Sequence, residues 1–351
     1  MSKKEKIIVL SLIAIFATIL VFIILDFAFA SNEFKNVGMM GNMPPAGFME
    51  EDVEKQTKKE DIEKGKDVSE EIINLSEQTS NITISKEGVY TVTGEFSHSI
   101  LVNAPGEVTL NLDNVKIENN TTSAIANISK NILNINILEN TNNILKDGGS
   151  SEYDGCIYSE WKLVIDGKGN LEIYGKQEEG EGIATTDNDI TINGGNIYIE
   201  SKDDGLNTGG DNGGTITING GSVYVKAKGD GIDSNKNVFI NGGYVYAIGS
   251  AKGGDAGIDT DAGFEINGGT VIALGSDMLE KPLESSKQKN VCFNLNSVIK
   301  SGSDIVLKNK NEEEIISFKA DEDFKTLVIS NEKVMDNNIS LYANNEKVNI
   351  K

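Results

Sequence analysis

The sequence predicts an all-β protein, a right-handed parallel β-helix of about seven or more three-stranded rungs. Three observations carry this reading. The tetrapeptide Ile-Asn-Gly-Gly recurs four times, with Asn193, Asn219, Asn241 and Asn267 standing 26, 22 and 26 residues apart. Each copy is followed by an alternating apolar and polar run, such as NIYIE, SVYVK and YVYAI. Each repeat then closes on an acidic, glycine-rich bend and an aliphatic residue: DDGL, GDGI and DAGI. A fixed period of about 20 to 50 residues marks units that bury their cores against one another. Alternation places every second side chain on one buried face of a strand. The gaps between strands are too short and too glycine-rich for the helix of a β-α-β unit.

The elements follow in order from the N-terminus. Lys3, Lys4 and Lys6 precede an uncharged run from Ile7 to Leu25, long enough to cross a bilayer. Ala28-Phe29-Ala30 also has the form of a signal-peptidase site, so residues 1–30 read as either a membrane anchor or a signal peptide. Both readings place the remainder outside the cell, at the surface or secreted. If the segment is an anchor, its lysines stay inside. Residues 31–71, with GMMGNMPPAGFM and a mixed charge run, read as a flexible stalk.

The β-helix is expected over 72–275. Anchored on the aliphatic after each bend, its rungs fall at Ile100, Ile125, Ile157, Ile183, Leu206, Ile232 and Ile258. Stacked rungs lie about 4.8 Å apart, so Asn193, Asn219, Asn241 and Asn267 are expected to form a structural ladder of side-chain amides at one corner. Asn tolerates the left-handed backbone that corners need, and the glycines adopt it without steric cost. Cys156 falls on a small inward column with Ala124 and Gly182. Residues 276–351 lose the repeat but keep alternating runs such as DIVLKN and TLVIS, which predict a small antiparallel β unit capping the helix or lying along its side.

Charge narrows the function. The net charge is −22, and all 32 basic residues are lysines. Nucleic acid is excluded as a partner, because no basic patch exists to neutralise phosphate. The acids lie on columns. Glu181, Asp204 and Asp230 precede the bend glycine, with Asp255 displaced by one; Asn207, Asp233 and Asp259 follow the aliphatic; Asp203 and Asp261 flank them. Carboxylates about 5 Å apart repel by roughly 1 kcal/mol even in water. Calcium, a hard cation satisfied by carboxylate, carbonyl and water oxygens, would offset this. Asp203, Asp204, Asp230, Asp233, Asp255, Asp259 and Asp261 are the candidate ligands. A surface ladder in which Lys202, Lys228 and Lys252 pair with these acids is the alternative. A second column, Tyr198, Tyr224 and Tyr246, offers a strip on which sugar rings could lie, with Lys202 and Lys228 beside it; self-stacking that stiffens the face is the alternative there.

The chain resembles the bacterial secreted carbohydrate-binding domain family that folds as a calcium-binding, pectate-lyase-like right-handed parallel β-helix. The resemblance spans roughly Ile72 to Lys351. It rests on NITISKEGVYTVTGEF, SILVNAPGEVTLNLDNVKI, DGCIYSEWKLVIDGKGNLEIYG, the INGG and DGI rungs, and SDMLEKPLESSKQKNVCF. It implies calcium on the helix and binding of cellulose-like or polygalacturonate-like chains. At Glu160 and Trp161 the chain departs from the more acidic rung the family carries there.

Three functions remain open on these residues: a monomeric, non-catalytic binding module for cell-wall polysaccharide; an adhesin or structural spacer; and a calcium-dependent polysaccharide lyase. A lyase needs a strong base to abstract a proton. Without arginine that role falls to Lys202, Lys228 or Lys252, each beside an acid that would raise its pKa.

Overall fold

A computed structural model describes residues 66–68, 71–149, 152–335 and 338–350. The expected hydrophobic segment of residues 1–30 and most of the expected stalk lie outside the described residues.

The described chain contains no α-helix; its only helical turn is the 3-10 turn Leu75–Glu77. Three stacks of parallel strands form a three-sided coil. The first face has nine strands, from Lys66–Val68 and Ile82–Ile84 through Gly155–Ser159, Glu181–Thr186, Leu206–Gly209 and Ile232–Ser234 to Ile258–Thr260. The second runs from Leu133–Ile137 through Leu163–Gly167, Ile190–Ile192, Ile216–Ile218 and Val238–Ile240 to Phe264–Ile266. The third runs from Asn142–Lys146 through Asn170–Tyr174, Asn196–Glu200, Ser222–Lys226 and Tyr244–Ile248 to Thr270–Gly275. In the earlier rungs, Gly88–Phe96 and Val108–Glu118 each span both of these faces as one long strand.

The predicted register holds residue for residue. Ile100, Ile125, Ile157, Ile183, Leu206, Ile232 and Ile258 are successive partners on the first face. Two further rungs precede them, through Ile82 and the strand Lys66–Val68. The helix therefore begins inside the segment expected to be stalk, because one short strand with a single turn's pairing leaves no repeat to read. Ile192, Ile218, Ile240 and Ile266 stack inward and are fully buried. Each such side chain contributes about 1.5–3 kcal/mol of transfer free energy.

The corner ladder forms as expected. Asn219, Asn241 and Asn267 each donate from Nδ2 to Oδ1 of the Asn one rung before, at 2.8, 2.8 and 3.0 Å. A second ladder, Asn142–Asn170–Asn196, runs along the start of the third face at 2.7 and 3.1 Å. The left-handed backbone falls on the second glycine of each INGG, Gly195, Gly221, Gly243 and Gly269, and not on the asparagines. A Cβ on Gly221 would stand 2.5 Å from the Gly195 carbonyl oxygen one rung below.

The C-terminal unit both caps and flanks the helix. Phe324–Ser330 pairs antiparallel with the last third-face strand Thr270–Gly275, and Asn290–Ile299 pairs beyond it. A four-stranded antiparallel sheet, built on Asp304–Lys308, completes the unit. A second apolar core lies between this unit and the outward side of the third face, gathering Tyr246, Ile248, Ile272 and Leu274 with Phe293, Phe324 and Leu327. Cys156 is buried in the helix, and neither it nor Cys292 forms a disulfide.

Candidate functional site

The outward column of the first face reads Tyr158, Ala184, Asn207, Asp233 and Asp259 in direct register. The inward aliphatics on either side fix this orientation, since successive residues of a strand point to opposite faces. Next to this column runs a line of bend acids. Asp204 Oδ1 accepts from the Asp230 backbone N–H at 2.7 Å, and Asp230 Oδ1 accepts from the Ala256 backbone N–H one rung later. The bend glycines make the crowding possible: a Cβ on Gly205 would stand 1.9 Å from Val225 Cγ1 and 2.6 Å from the Gly231 carbonyl oxygen.

Each of the seven aspartates named from the sequence is repelled by at least one other of the set. Burial pushes the Asp204 carboxyl up to about 8, with Asp203, Asp233 and Asp230 adding repulsion. Burial likewise raises Asp230 to about 7, with Asp259, Asp233 and Asp255 repelling it, although the Ala256 N–H holds it down in part. Asp233 is raised to about 6 by burial and by Asp259, Asp261 and Asp203. Asp203 is raised by burial, then by Glu179 and Asp255.

Three further residues join the set. Glu181 is 7% exposed, and its carboxyl is pushed up by burial and by Asp154. Asn207 donates from Nδ2 to Glu181 Oε1 at 3.0 Å and to Asp204 Oδ2 at 3.2 Å. Its own Oδ1 and the Glu181 Oε2 are both buried without a hydrogen-bond partner. Glu280 comes from the segment after the last rung and folds back over the face. Its Oε2 accepts from the Thr260 backbone N–H at 2.7 Å, and its carboxyl meets that of Asp259, whose hydrogen bond and charge, after burial, raise its pKa. Glu181 and Asn207 were legible as members of the acidic columns, whereas Glu280 lies in a non-periodic return that no repeat places.

Among the described residues, no three His, Cys, Asp or Glu side chains are already gathered as a metal cage. The carboxylates are instead distributed one rung apart, with amide and carbonyl oxygens between them. Two buried acceptors lacking any donor fit a cation that ligates through oxygen. The donor set is all oxygen, which suits calcium and not a soft metal.

The lysines do not form the alternative ladder. Lys228 lies 3.4 Å from Glu322, which also pairs with Lys226 at 2.9 Å. Lys202 and Lys252 make no ion pair among the described residues.

The tyrosine column forms with the expected three members and is differently employed. Tyr198, Tyr224 and Tyr246 stand in register, with Tyr198 and Tyr224 stacked at 5.2 Å and 15°. Tyr174 extends the contact to one side and Phe318 to the other. Tyr246, expected on the exposed strip, is only 4% exposed: Phe318 packs on it, and its hydroxyl donates to the Lys319 carbonyl at 3.3 Å. Tyr224 donates to Asp321 at 2.8 Å. The C-terminal unit thus docks on the later tyrosines and leaves Tyr198, with Tyr174, outside that contact.

With this geometry in place, the chain belongs to the carbohydrate-binding domain-containing protein family, whose profile matches residues 78–338. A carbohydrate-binding domain-containing protein of Acetivibrio thermocellus is 29% identical over 144 residues, covering 38% of this chain and 49% of the relative. The match thus covers about half the length of that relative. Among solved structures, a polysaccharide lyase-like protein from C. thermocellum, a gadolinium derivative, aligns with a TM-score of 0.44 and 25% identity over 61% of this chain and 96% of that one.

Proposed function

We propose that the protein is a non-catalytic, extracytoplasmic module that binds cell-wall polysaccharide, acidic or β-linked, on a calcium-bearing face of the helix. The observation that carries this reading is the pair of buried, unpartnered oxygens, Glu181 Oε2 and Asn207 Oδ1, set within a ladder of mutually repelling carboxylates. Glu181, Asp204 and Asn207 would hold calcium at one level, and Asp230, Asp233 and Asp259 at the next, with Glu280 closing the last rung. Asp203, Asp255 and Asp261 flank these levels. When bound, the ion supplies positive charge that the chain lacks on this face, and with it an attraction for uronate carboxylates and sugar hydroxyls.

The chain's own residues argue for binding over cleavage. The one candidate base near the acids that has an ion-pair partner, Lys228, is turned to Glu322 at 3.4 Å and not to the acidic columns. Tyr198 and Tyr174 offer the part of the aromatic column that the C-terminal unit leaves uncovered. Residues 1–30 would tether or export the domain, which we propose acts as a monomer.

A pull-down on insoluble cellulose and on pectate, with calcium and with chelator, tests the reading. Retention on at least one matrix, lost on chelation and in Asp230→Asn/Asp233→Asn, is expected. Equal retention with and without chelator would remove the metal from the proposal.

A further inference from the structure

A second site lies beside the outward column of the first face, at the bends that follow its strands. Tyr158, two rungs before Asn207 in that column, stands at its wall. The cleft beside Tyr158 has a volume of about 550 Å³ and is bounded by Lys130, Glu160, Trp161, Asp187 and Asn212. This is the size of a small-ligand pocket.

The backbone beneath the cleft is pinned. Asn127 Nδ2 donates to Ser159 Oγ at 2.9 Å, and that oxygen accepts the Trp161 backbone N–H at 3.2 Å. The Glu160 carbonyl accepts from Asn188 Nδ2 at 3.1 Å, and the Asn212 backbone N–H donates to Asp187 Oδ1 at 2.7 Å. The Tyr158 hydroxyl is held by Thr186 Oγ1 at 2.9 Å. By contrast, the Trp161 indole, the Glu160 carboxylate, the Lys130 ammonium and the Asn212 amide make no hydrogen bond or contact ion pair among the described residues, although the Lys130 charge acts on Glu160 at longer range. Trp161 is 36% exposed, a large apolar side chain standing at the wall of a polar cleft.

The geometry points to a metal-independent sugar subsite in which Trp161 stacks on the apolar face of a neutral hexopyranose ring while Glu160, Lys130 and Asn212 bond its hydroxyls. A rigid scaffold with free polar ends suits a ligand that both donates and accepts on its rim and is apolar on its face. Sugars are such ligands. Two carboxylates, Glu160 and Asp187, face one ammonium, Lys130, and the chain carries −22, so a neutral ring is favoured over a uronate. Calcium has no part in this subsite. The inference rests on the reading that the protein binds polysaccharide, but not on the acidic face.

Trp161 is the only tryptophan in the chain, so intrinsic fluorescence reports on this cleft alone. The intact, chelator-treated protein is titrated with cellohexaose, laminarihexaose and trigalacturonate. A saturable change in emission with a neutral hexasaccharide, and none with trigalacturonate, is expected. Calorimetry should show at least a tenfold loss of affinity in Trp161→Ala, partial recovery in Trp161→Phe, and a loss in Glu160→Gln, at unchanged melting temperature. No saturable change with either neutral hexasaccharide, undiminished binding by Trp161→Ala, or a saturable response to trigalacturonate overturns the proposal. Loss of calcium-dependent retention on pectate with the fluorescence response intact would sink the metal face and leave this subsite standing.

Discussion

Removing calcium should make stability fall as pH rises, opposite to the trend set by carboxylates in salt bridges. Asp204 is the cleanest case. It is 9% exposed, and its carboxyl is pushed up to about 8 from an ordinary 3.8. A carboxyl raised in the folded state is protonated there while the unfolded chain has already released its proton. The stability it contributes is complete below the unfolded value near 3.8 and is lost as pH rises to about 8. At about 1.4 kcal/mol per pH unit, Asp204 alone accounts for at most about 4 kcal/mol between pH 5 and 8. Asp230 and Asp233 act in the same direction over narrower windows, up to about 7 and 6. Their contributions are discounted, because both are partly solvated and share one set of repulsions. For a chain of this size each kcal/mol moves Tm by about 2 °C. Calorimetry of the chelated protein should thus show Tm falling by several degrees from pH 5 to pH 8. Calcium held as proposed would bind the ionised carboxylates, so its stabilisation should grow with pH and flatten or invert that slope. A chelated protein whose Tm is flat or rises over this range would refute the reasoning.

Other outcomes follow from the same geometry. Calcium at a hundredfold excess over its dissociation constant should stabilise the fold by about 2.7 kcal/mol, and Asp230→Asn/Asp233→Asn should abolish most of that gain in a thermal melt. Gly205→Val would drive a side chain into Val225 and the Gly231 carbonyl and should cost about 3 kcal/mol or more in a denaturant titration. Tyr246→Ala should destabilise by about 3 kcal/mol and raise protease sensitivity beyond residue 276, with no loss of sugar binding, because that ring is covered by Phe318. Polygalacturonate with calcium at alkaline pH should give no rise in ultraviolet absorbance from unsaturated product.

What the sequence made legible is what repeats. A β-helix converts period into neighbourhood, so Ile100 through Ile258 could be set in register, and the asparagine and aspartate columns named, from spacing alone. Legibility ended where period ended. The strand Lys66–Val68 has one pairing partner and no repeat, and so reads as stalk. Glu280 reaches Thr260 across a return of 20 residues whose path no alternation encodes. The burial of Tyr246 depends on Phe318 and Lys319, more than 70 residues away in an antiparallel unit whose docking cannot be inferred from an outward column.

The same distinction separates the two proposed binding elements. In the acidic face, each rung repeats the residue types of the last, and the property that matters, the accumulation of like charge, exists only because rungs stack. Asp204, Asp230 and Asp233 are individually ordinary; stacking buries them, which raises them most, and sets them close enough for their charges to add to it. The Trp161 cleft is the reverse case. It is built from residues that do not recur from rung to rung, on a corner whose backbone is held by hydrogen bonds at Asn127, Ser159 and Asn188. A periodic scaffold gives a non-periodic residue a fixed position at little cost in conformational freedom, which is what an aromatic platform for a sugar ring requires. In this chain, repetition sets the electrostatics of the face and interruption of the repeat sets its local shape.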